Sequence, residues 1–425
     1  MNYPKSIFGE NLTKPSGTTD LMNDLGEALA LGAGKIHLLG GGTPAQIPAV
    51  QDIWRARMAA MISDEPDVFD AMLSNYDQPA GNPHFREAMA GFLNREFGWP
   101  VTAKNIGITN GGQTAFFMLL NRFAGRMTDD SHRKILLPLV PEYIGYGDQG
   151  VGRDGLFTAR KPRIEELGDR QFKYRVDFEN LNADAETTGA ICVSRPTNPS
   201  SNVLTDNEIT RLSDEAIRLG VPLIIDNAYG QPFPGVIFED VTPVWDEHII
   251  LTMSLSKLGL PGTRSGIVVA AEETIAELSS MTAIMGLANN NIGQGIVKPF
   301  IESGEVLKIS HEIIEPFYRR RSAMAQELAH ELLPADLPWK MHRSEGAFFI
   351  WFWFEGMKIT AKELYDRLKA RNVIVIPGNY FFYGLETVDD DWKHRDECIR
   401  VSFTQGEATL REGFRILGEE LANAW

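Results

Sequence analysis

The sequence predicts an α/β protein: a mostly parallel central sheet with helices on both faces, joined to a smaller α+β domain. Three observations carry this. Residues 189–193, 221–225 and 249–251 are short, continuously apolar runs, the pattern of strands buried on both faces. A helical pattern separates the first two of them. Chemistry-bearing residues, Asn198, Asp226 and Lys257, follow the runs, as expected where ligands gather at the carboxyl ends of parallel strands.

Taken in order, residues 105–109 read as a short strand. Asn110-Gly111-Gly112-Gln113-Thr114 and the apolar helix start Ala115-Phe116-Phe117 follow it. Glycines let backbone approach a ligand, and the free N–H groups of a helix start point at an anion. Thr205-Asp206-Asn207-Glu208 is a capping box; Ile209, Leu212, Ala216 and Ile217 then recur at helical spacing, and Gly220 stops the helix. The run 221–225 has Pro222 near its start, and 249–251 leads into Ser254-Leu255-Ser256-Lys257. Phe348 to Phe354 reads as a short buried strand, and 373–378 and 398–403 read as strands, the last of alternating pattern. Leu410, Phe414, Leu417 and Leu421 form the apolar stripe of a final helix. The expected division is a large domain over residues 51–304 and a small domain from 1–50 and 305–425.

Composition narrows the function. Hydrophobic residues at 43% and charged residues at 23% fit a soluble globular enzyme. A formal net charge of −16 disfavours nucleic-acid and anionic-membrane surfaces. No apolar stretch has signal-peptide or membrane-spanning form, so a cytoplasmic location is expected. Cys192 and Cys398 each lie in an apolar run, which predicts buried free thiols rather than a disulfide. No metal-ligand cluster is expected.

The lysine segment, residues 253–266, is the most informative stretch. It offers an amine at Lys257 between the hydroxyls of Ser254 and Ser256, with the guanidinium of Arg264 nearby. Schiff-base chemistry with a phosphorylated aldehyde needs these parts. Singly, each residue has an ordinary reading: Lys257 and Arg264 as surface cations, Asp226 as a strand-end cap, Tyr143 as a loop tyrosine, Arg400 as an exposed-face arginine.

The ordered set resembles the class I/II aminotransferases, pyridoxal-phosphate enzymes of the type I fold. The resembling segments are Asn75-Tyr76, Thr109-Asn110-Gly111-Gly112-Gln113, Pro141-Glu142-Tyr143, Arg195-Pro196-Thr197-Asn198-Pro199, Asp226-Asn227-Ala228-Tyr229, the lysine segment and Ile399-Arg400-Val401. The resemblance implies pyridoxal 5′-phosphate held by Lys257. Its phosphate would meet Gly111, Gly112, Gln113, Ser254, Ser256, Arg264 and, from the neighbouring subunit of a homodimer with shared sites, Tyr76. Tyr143 would stack on the ring, Asp226 would pair with the ring nitrogen, and Asn198 and Tyr229 with the phenolic oxygen. Arg400, with a backbone N–H of Gly42, would take the substrate α-carboxylate, beside Tyr143 and Asn198. Catalysis would rest on Lys257, Asp226 and Tyr229.

Within that family, the runs PEYIGY, SRPTNP, DNAYG and SLSKLGLPG resemble the bacterial valine–pyruvate aminotransferases. The implied activity is ping-pong transfer through aldimines between a neutral amino acid (valine, alanine) and a 2-oxo acid (pyruvate, 2-oxoisovalerate). One departure stands out: Ser200-Ser201 replaces the usual Thr-Gly after Asn198-Pro199, and serine resists the positive φ that glycine tolerates. Two other readings share the cofactor: β-elimination from a sulfur amino acid, and a cofactor-sensing domain of a transcriptional regulator. Against the second, no basic helix-turn-helix precedes the phosphate loop.

Overall fold

The computed structural model describes residues 3–17, 19, 26, 36–385 and 392–425. Its strands are β1 (His37–Leu38), β2 (Ile106–Thr109), β3 (Gly125–Arg126), β4 (His132–Leu137), β5 (Phe157–Ala159), β6 (Arg163–Gly168), β7 (Gln171–Arg175) and β8 (Thr188–Ser194). Then come β9 (Leu223–Asp226), β10 (Ile249–Ser254), β11 (Gly266–Val269), β12 (Trp339–His342), β13 (Phe349–Phe354), β14 (Val373–Ile374), β15 (Ile376–Pro377) and β16 (Cys398–Ser402).

The large sheet runs β2-β11-β10-β9-β8-β4-β3, with β5 paired to β4. The pairs β10–β9, β9–β8, β8–β4 and β4–β5 are parallel; β11 is antiparallel to both of its neighbours. Every residue of β8 and of β10 is buried, so both faces are covered, as their unbroken apolar sequences predict. The helix Asp206–Leu219 starts at the capping box, with Thr205 and Glu208 bonded reciprocally, and ends at Gly220 with φ +66°. Its buried stripe is Ile209, Leu212, Ala216 and Leu219. Ile217, expected in that stripe, is 59% exposed. Leu219 lies three residues past Ala216 on the buried face, whereas Ile217 is turned about one residue's rotation away.

The second sheet is mainly antiparallel, in the order β15-β16-β13-β12-β7-β6, with β12–β7 its parallel pair. It draws β6 and β7 from before residue 304 and the rest from after it. Phe349 to Phe354 are all buried in β13. The helices Glu315–Leu332 and Glu407–Leu421 pack on each other beside this sheet. A buried ion pair, Lys173 with Glu345, ties β7 to the segment before β13; Lys173 and Glu345 also bond the backbone C=O and N–H of Val203. Cys192 and Cys398 are buried and free. Among the described residues no helix is long and apolar enough to cross a membrane, and no cluster of three metal-ligating side chains occurs.

Candidate active site

Four strand ends of the large sheet converge on one place, and β16 of the second sheet reaches it from the other side. Beyond Ser254, at the end of β10, the chain makes a tight turn, Leu255–Leu258, closed by Gly259 at φ +94°. The Ser254 hydroxyl accepts from the Ser256 N–H at 3.1 Å. This turn presents Lys257, whose Nζ donates to the carbonyl of Gly42 at 2.6 Å. The same nitrogen lies 5.2 Å from the Tyr229 ring centre and 5.1 Å from that of Phe348. Burial, aided by the positive charge of Arg400, lowers the Lys257 ammonium to about 7; Asp226 opposes the shift. Near neutral pH a large fraction is therefore free amine, the nucleophilic form.

Asp226 ends β9, opposite Ser194 of β8 and Thr252 of β10. One oxygen accepts from the Ala228 N–H at 2.9 Å, and the other from the hydroxyl of Tyr146. Burial raises its pKa, against these bonds and the charge of Lys257. Tyr146 is buried against Phe116, ring centres 4.4 Å apart, and stands edge-on to Tyr143 at 5.1 Å. Gly145 lets the Tyr143 ring lie where it does, since a Cβ there would come within 2.4 Å of that ring. Tyr229 is buried, edge-on to Phe348 at 5.0 Å.

Beyond β2, Gly111 takes φ +87° and opens the helix Gly112–Phe123 with no side chain capping it. A Cβ on Gly111 would come within 2.3 Å of the Arg264 guanidinium, so that group lies across the glycine. Arg264 is exposed, with φ +49°. Gln113 donates its amide to the carbonyl of Gly145 at 2.7 Å, linking this loop to the Tyr143 turn. Ser256 is half-buried. Tyr76 is 83% exposed.

Arg400 lies mid-strand in β16 and is 2% exposed, not the surface guanidinium its alternating strand would allow. Its two terminal nitrogens donate to Asn198 Oδ1 at 2.5 Å and to the Gly40 carbonyl at 2.7 Å, and its Nε has no partner. The guanidinium sits 4.3 Å from the Phe349 ring centre, and burial lowers its pKa to about 10. Asn198 is fixed by the turn that ends at Ser201. Ser201 does adopt the positive φ, +62°, and its hydroxyl bonds the Phe349 carbonyl at 2.7 Å. That hydrogen bond offsets a strain of about 1–2 kcal/mol.

With the site in this form, the comparisons decide the family. The model of aminotransferases of class I and II matches residues 159–417. The valine–pyruvate aminotransferase of Escherichia coli K12 is 45% identical over 420 residues, covering 99% of this chain and 98% of that protein.

The chain belongs to the class I and II aminotransferases.

A solved structure titled valine-pyruvate aminotransferase, from Salmonella typhimurium LT2, is 43% identical with a TM-score of 0.87, over 96% of this chain and 99% of that one. The kynurenine aminotransferase of Pyrococcus horikoshii, 20% identical, shares the fold at a TM-score of 0.77, over 97% of this chain and 96% of that one. As an aminotransferase the protein depends on pyridoxal 5′-phosphate. Its residues fit that group. The Gly111 cradle is too tight for a Cβ, the helix start above it is uncapped, and Arg264 lies beside it. A lysine amine with a lowered pKa stands between that cradle and a buried carboxylate.

Reading the sequence missed several aminotransferase side chains. Tyr146, the donor to Asp226, is signalled only by its place three residues after Tyr143 on a tight turn. Tyr318 accepts from the Ala45 N–H at 2.9 Å and stacks on Phe348 at 5.2 Å, a pairing across 273 residues that no local pattern reveals. Gly42 meets Lys257 through its carbonyl; the backbone N–H expected to serve a carboxylate has no hydrogen bond described.

Proposed function

We propose that this aminotransferase takes small neutral amino acids, valine and alanine foremost, with pyruvate or 2-oxoisovalerate as acceptor, in a ping-pong cycle. The observation that carries this is the cavity of about 170 Å³ beside Lys257. Thr43, Ala45, Ile47, Val50, Ile314 and Tyr318 line it, and Lys257 is its one formally charged residue. A second carboxylate there would find no arginine, only the neutral amides of Gln46 and Gln51 beside the Lys257 that holds the cofactor, and its desolvation would cost several kcal/mol. A small aliphatic side chain is stabilised by burial instead. Residues 265–297 contain no Arg or Lys to supply a second anion site. The names of the Escherichia coli and Salmonella relatives support the same choice.

Bound pyridoxal 5′-phosphate supplies an aldehyde for the amino group and a ring that accepts the electron pair left at the substrate Cα. In this reading Lys257 holds the cofactor and, once freed, takes the Cα proton with its amine. Asp226, kept in place by Tyr146 and Ala228, holds a proton on the ring nitrogen. Tyr143 covers a ring face, Asn198 and Tyr229 donate to the phenolic oxygen, and Arg400 forks onto the α-carboxylate. The N–H groups of Gly112 and Gln113, beside Gly111, with the hydroxyls of Ser254 and Ser256 and the Arg264 guanidinium, bind phosphate.

The working assembly is a homodimer in which Tyr76 reaches the partner's phosphate. Its exposure supports this, as do Ile284, 87% exposed, and Leu287, on a segment joined to the Tyr76 loop by Asn291 Nδ2 donating to the Asn75 carbonyl at 3.2 Å. We place the protein in the cytoplasm and take 51–304 as the cofactor domain, with 1–50 and 305–425 as the smaller one. Steady-state rates for a panel of amino donors against pyruvate and 2-oxoglutarate test the substrate choice. Valine or alanine should give the highest kcat/KM, and a higher value for aspartate or glutamate would overturn it.

A further inference from the structure

Glu142 is a buried carboxyl with no part in the scheme above. It is 2% exposed, directly before the ring-facing Tyr143. One of its oxygens accepts from the Ser194 N–H at 3.0 Å; the other accepts from the Ser194 hydroxyl at 2.7 Å and the Tyr143 N–H at 3.1 Å. Its own N–H donates to the Phe381 carbonyl at 3.0 Å, and the Tyr383 hydroxyl donates to the Tyr143 carbonyl at 2.8 Å. One side chain thus bolts the Tyr143 turn to the end of β8, four residues before Asn198, while the backbone around it is fastened to the segment 381–383.

Ser194 stands opposite Asp226 in the β8–β9 register, so two carboxyls share one buried region. The titratable groups facing it are Cys192 on β8, Asp226 on β9, Tyr143 and Tyr146 on the same turn, and Tyr383 on the C-terminal segment. The cation Lys257 faces Asp226 alone, and among the described residues no ion pair reaches either carboxyl. Two neighbouring buried carboxylates with one cation, on the side of Asp226, do not both ionise cheaply. Asp226 has the Tyr146 hydroxyl, the Ala228 N–H and the field of Lys257 in favour of its charge. Glu142 has the N–H groups of Ser194 and Tyr143 but no cation, and the Ser194 hydroxyl that bonds it can equally accept a proton from it.

We propose that Glu142 is a positioning residue for transamination: a carboxyl that keeps its proton, locks Tyr143 to the end of β8, and leaves Asp226 as the one negative charge under the ring. This rests on Asp226 and Tyr143 facing the cofactor ring as set out above. Burial, opposed by the bonds from Ser194 and Tyr143 and aided by the charge of Asp226, pushes Glu142 up to about 8, so the proton is held at neutral pH and released above it.

The test uses the full chain with and without pyridoxal 5′-phosphate. In cofactor-free protein, infrared spectra should lose a protonated-carboxyl stretch as pH rises through about 8. E142D should shift that stretch and E142Q delete it. A parent protein without such a stretch overturns the proposal, whether or not the variants fold. In the holoprotein, the pH titration of the visible band should lose its component near 8 in E142Q. E142A should lower kcat about tenfold, with far less change in the KM for the amino donor, because the ring is misplaced rather than the carboxylate site. E142Q, neutral and of like size, should recover part of that loss. Recovery by E142D but not by E142Q would mean that an ionised carboxylate is required, and would also overturn the proposal. D226N separates the two readings: if it leaves the visible band and its titration unchanged, the ring-end assignment has failed rather than the role of Glu142.

Discussion

At the end of the site proposed for the cofactor ring, Asp226 is held by Tyr146 and Ala228 of its own chain, behind the buried rings of Phe116 and Tyr146 and the carboxyl of Glu142. At the end proposed for the phosphate, Arg264 lies exposed across Gly111, the helix start is uncapped, and Tyr76 is 83% exposed. The first end is complete within one chain, and the second is open. A buried charge has to be solvated by fixed groups before any ligand arrives, so its partners fold with it. A dianion that arrives with its ligand can be met by water-accessible donors, including some from a second copy of the chain. Changes at the ring end should therefore act on kcat, and those at the phosphate end on cofactor retention.

The sharpest division should appear between these ends. Lys257→Ala, where both meet, should reduce transamination at least about a thousandfold, read as amino donor consumed per minute. In the parent protein the rate of cofactor capture should rise with pH through about 7 and then level, because only the free amine attacks an aldehyde. Asp226→Asn should cost about a hundredfold in kcat while cofactor binding, measured by fluorescence titration, changes much less. An equal loss of cofactor would break the comparison. Arg400→Lys removes a planar fork held by Asn198 and Gly40; kcat/KM for every amino donor should fall by about 10- to 100-fold. Tyr76→Phe should weaken cofactor affinity about tenfold, by loss of one charge-assisted bond, with kcat at saturating cofactor little changed. Sedimentation of the parent should then show a dimer. Ser201→Gly should move stability by less than about 1 kcal/mol, because relief of the positive φ and loss of the bond to Phe349 nearly cancel. Its denaturation midpoint measures this.

The same contrast governs how much could be read from sequence. The strands β8, β9 and β10 announce themselves as unbroken apolar runs, and the residues just past them sit in short polar turns. Asn198, Asp226, Lys257 and Arg264 are therefore visible as departures from pattern. Arg400 is harder, because an arginine inside an alternating strand has the same spelling whether it faces water or a buried carboxylate site. Least legible are the side chains that support others. Tyr146, Tyr318 and the Glu142–Ser194 bond are made across 80, 273 and 52 residues, so their meaning exists only after the sheets have formed. The pairing of β7 with β12 is of the same kind. Ile217 shows the opposite failure: a hydrophobic residue at nearly helical spacing that the helix turns outward.

The carbonyls of Gly40 and Gly42 have a consequence for how any amino acid is measured against this protein. Each already accepts a hydrogen bond, one from Arg400 and the other from Lys257. In the proposed binding mode an arriving α-carboxylate would not meet a bare guanidinium at Arg400; it would compete with a peptide oxygen belonging to the same molecule. The observed affinity is then an exchange constant, the advantage of an anion over a neutral carbonyl at the same nitrogen. Every donor carries that handicap equally, because every donor presents the same carboxylate. Ratios of Kd between amino acids would therefore report the side chain, even where the absolute values look weak.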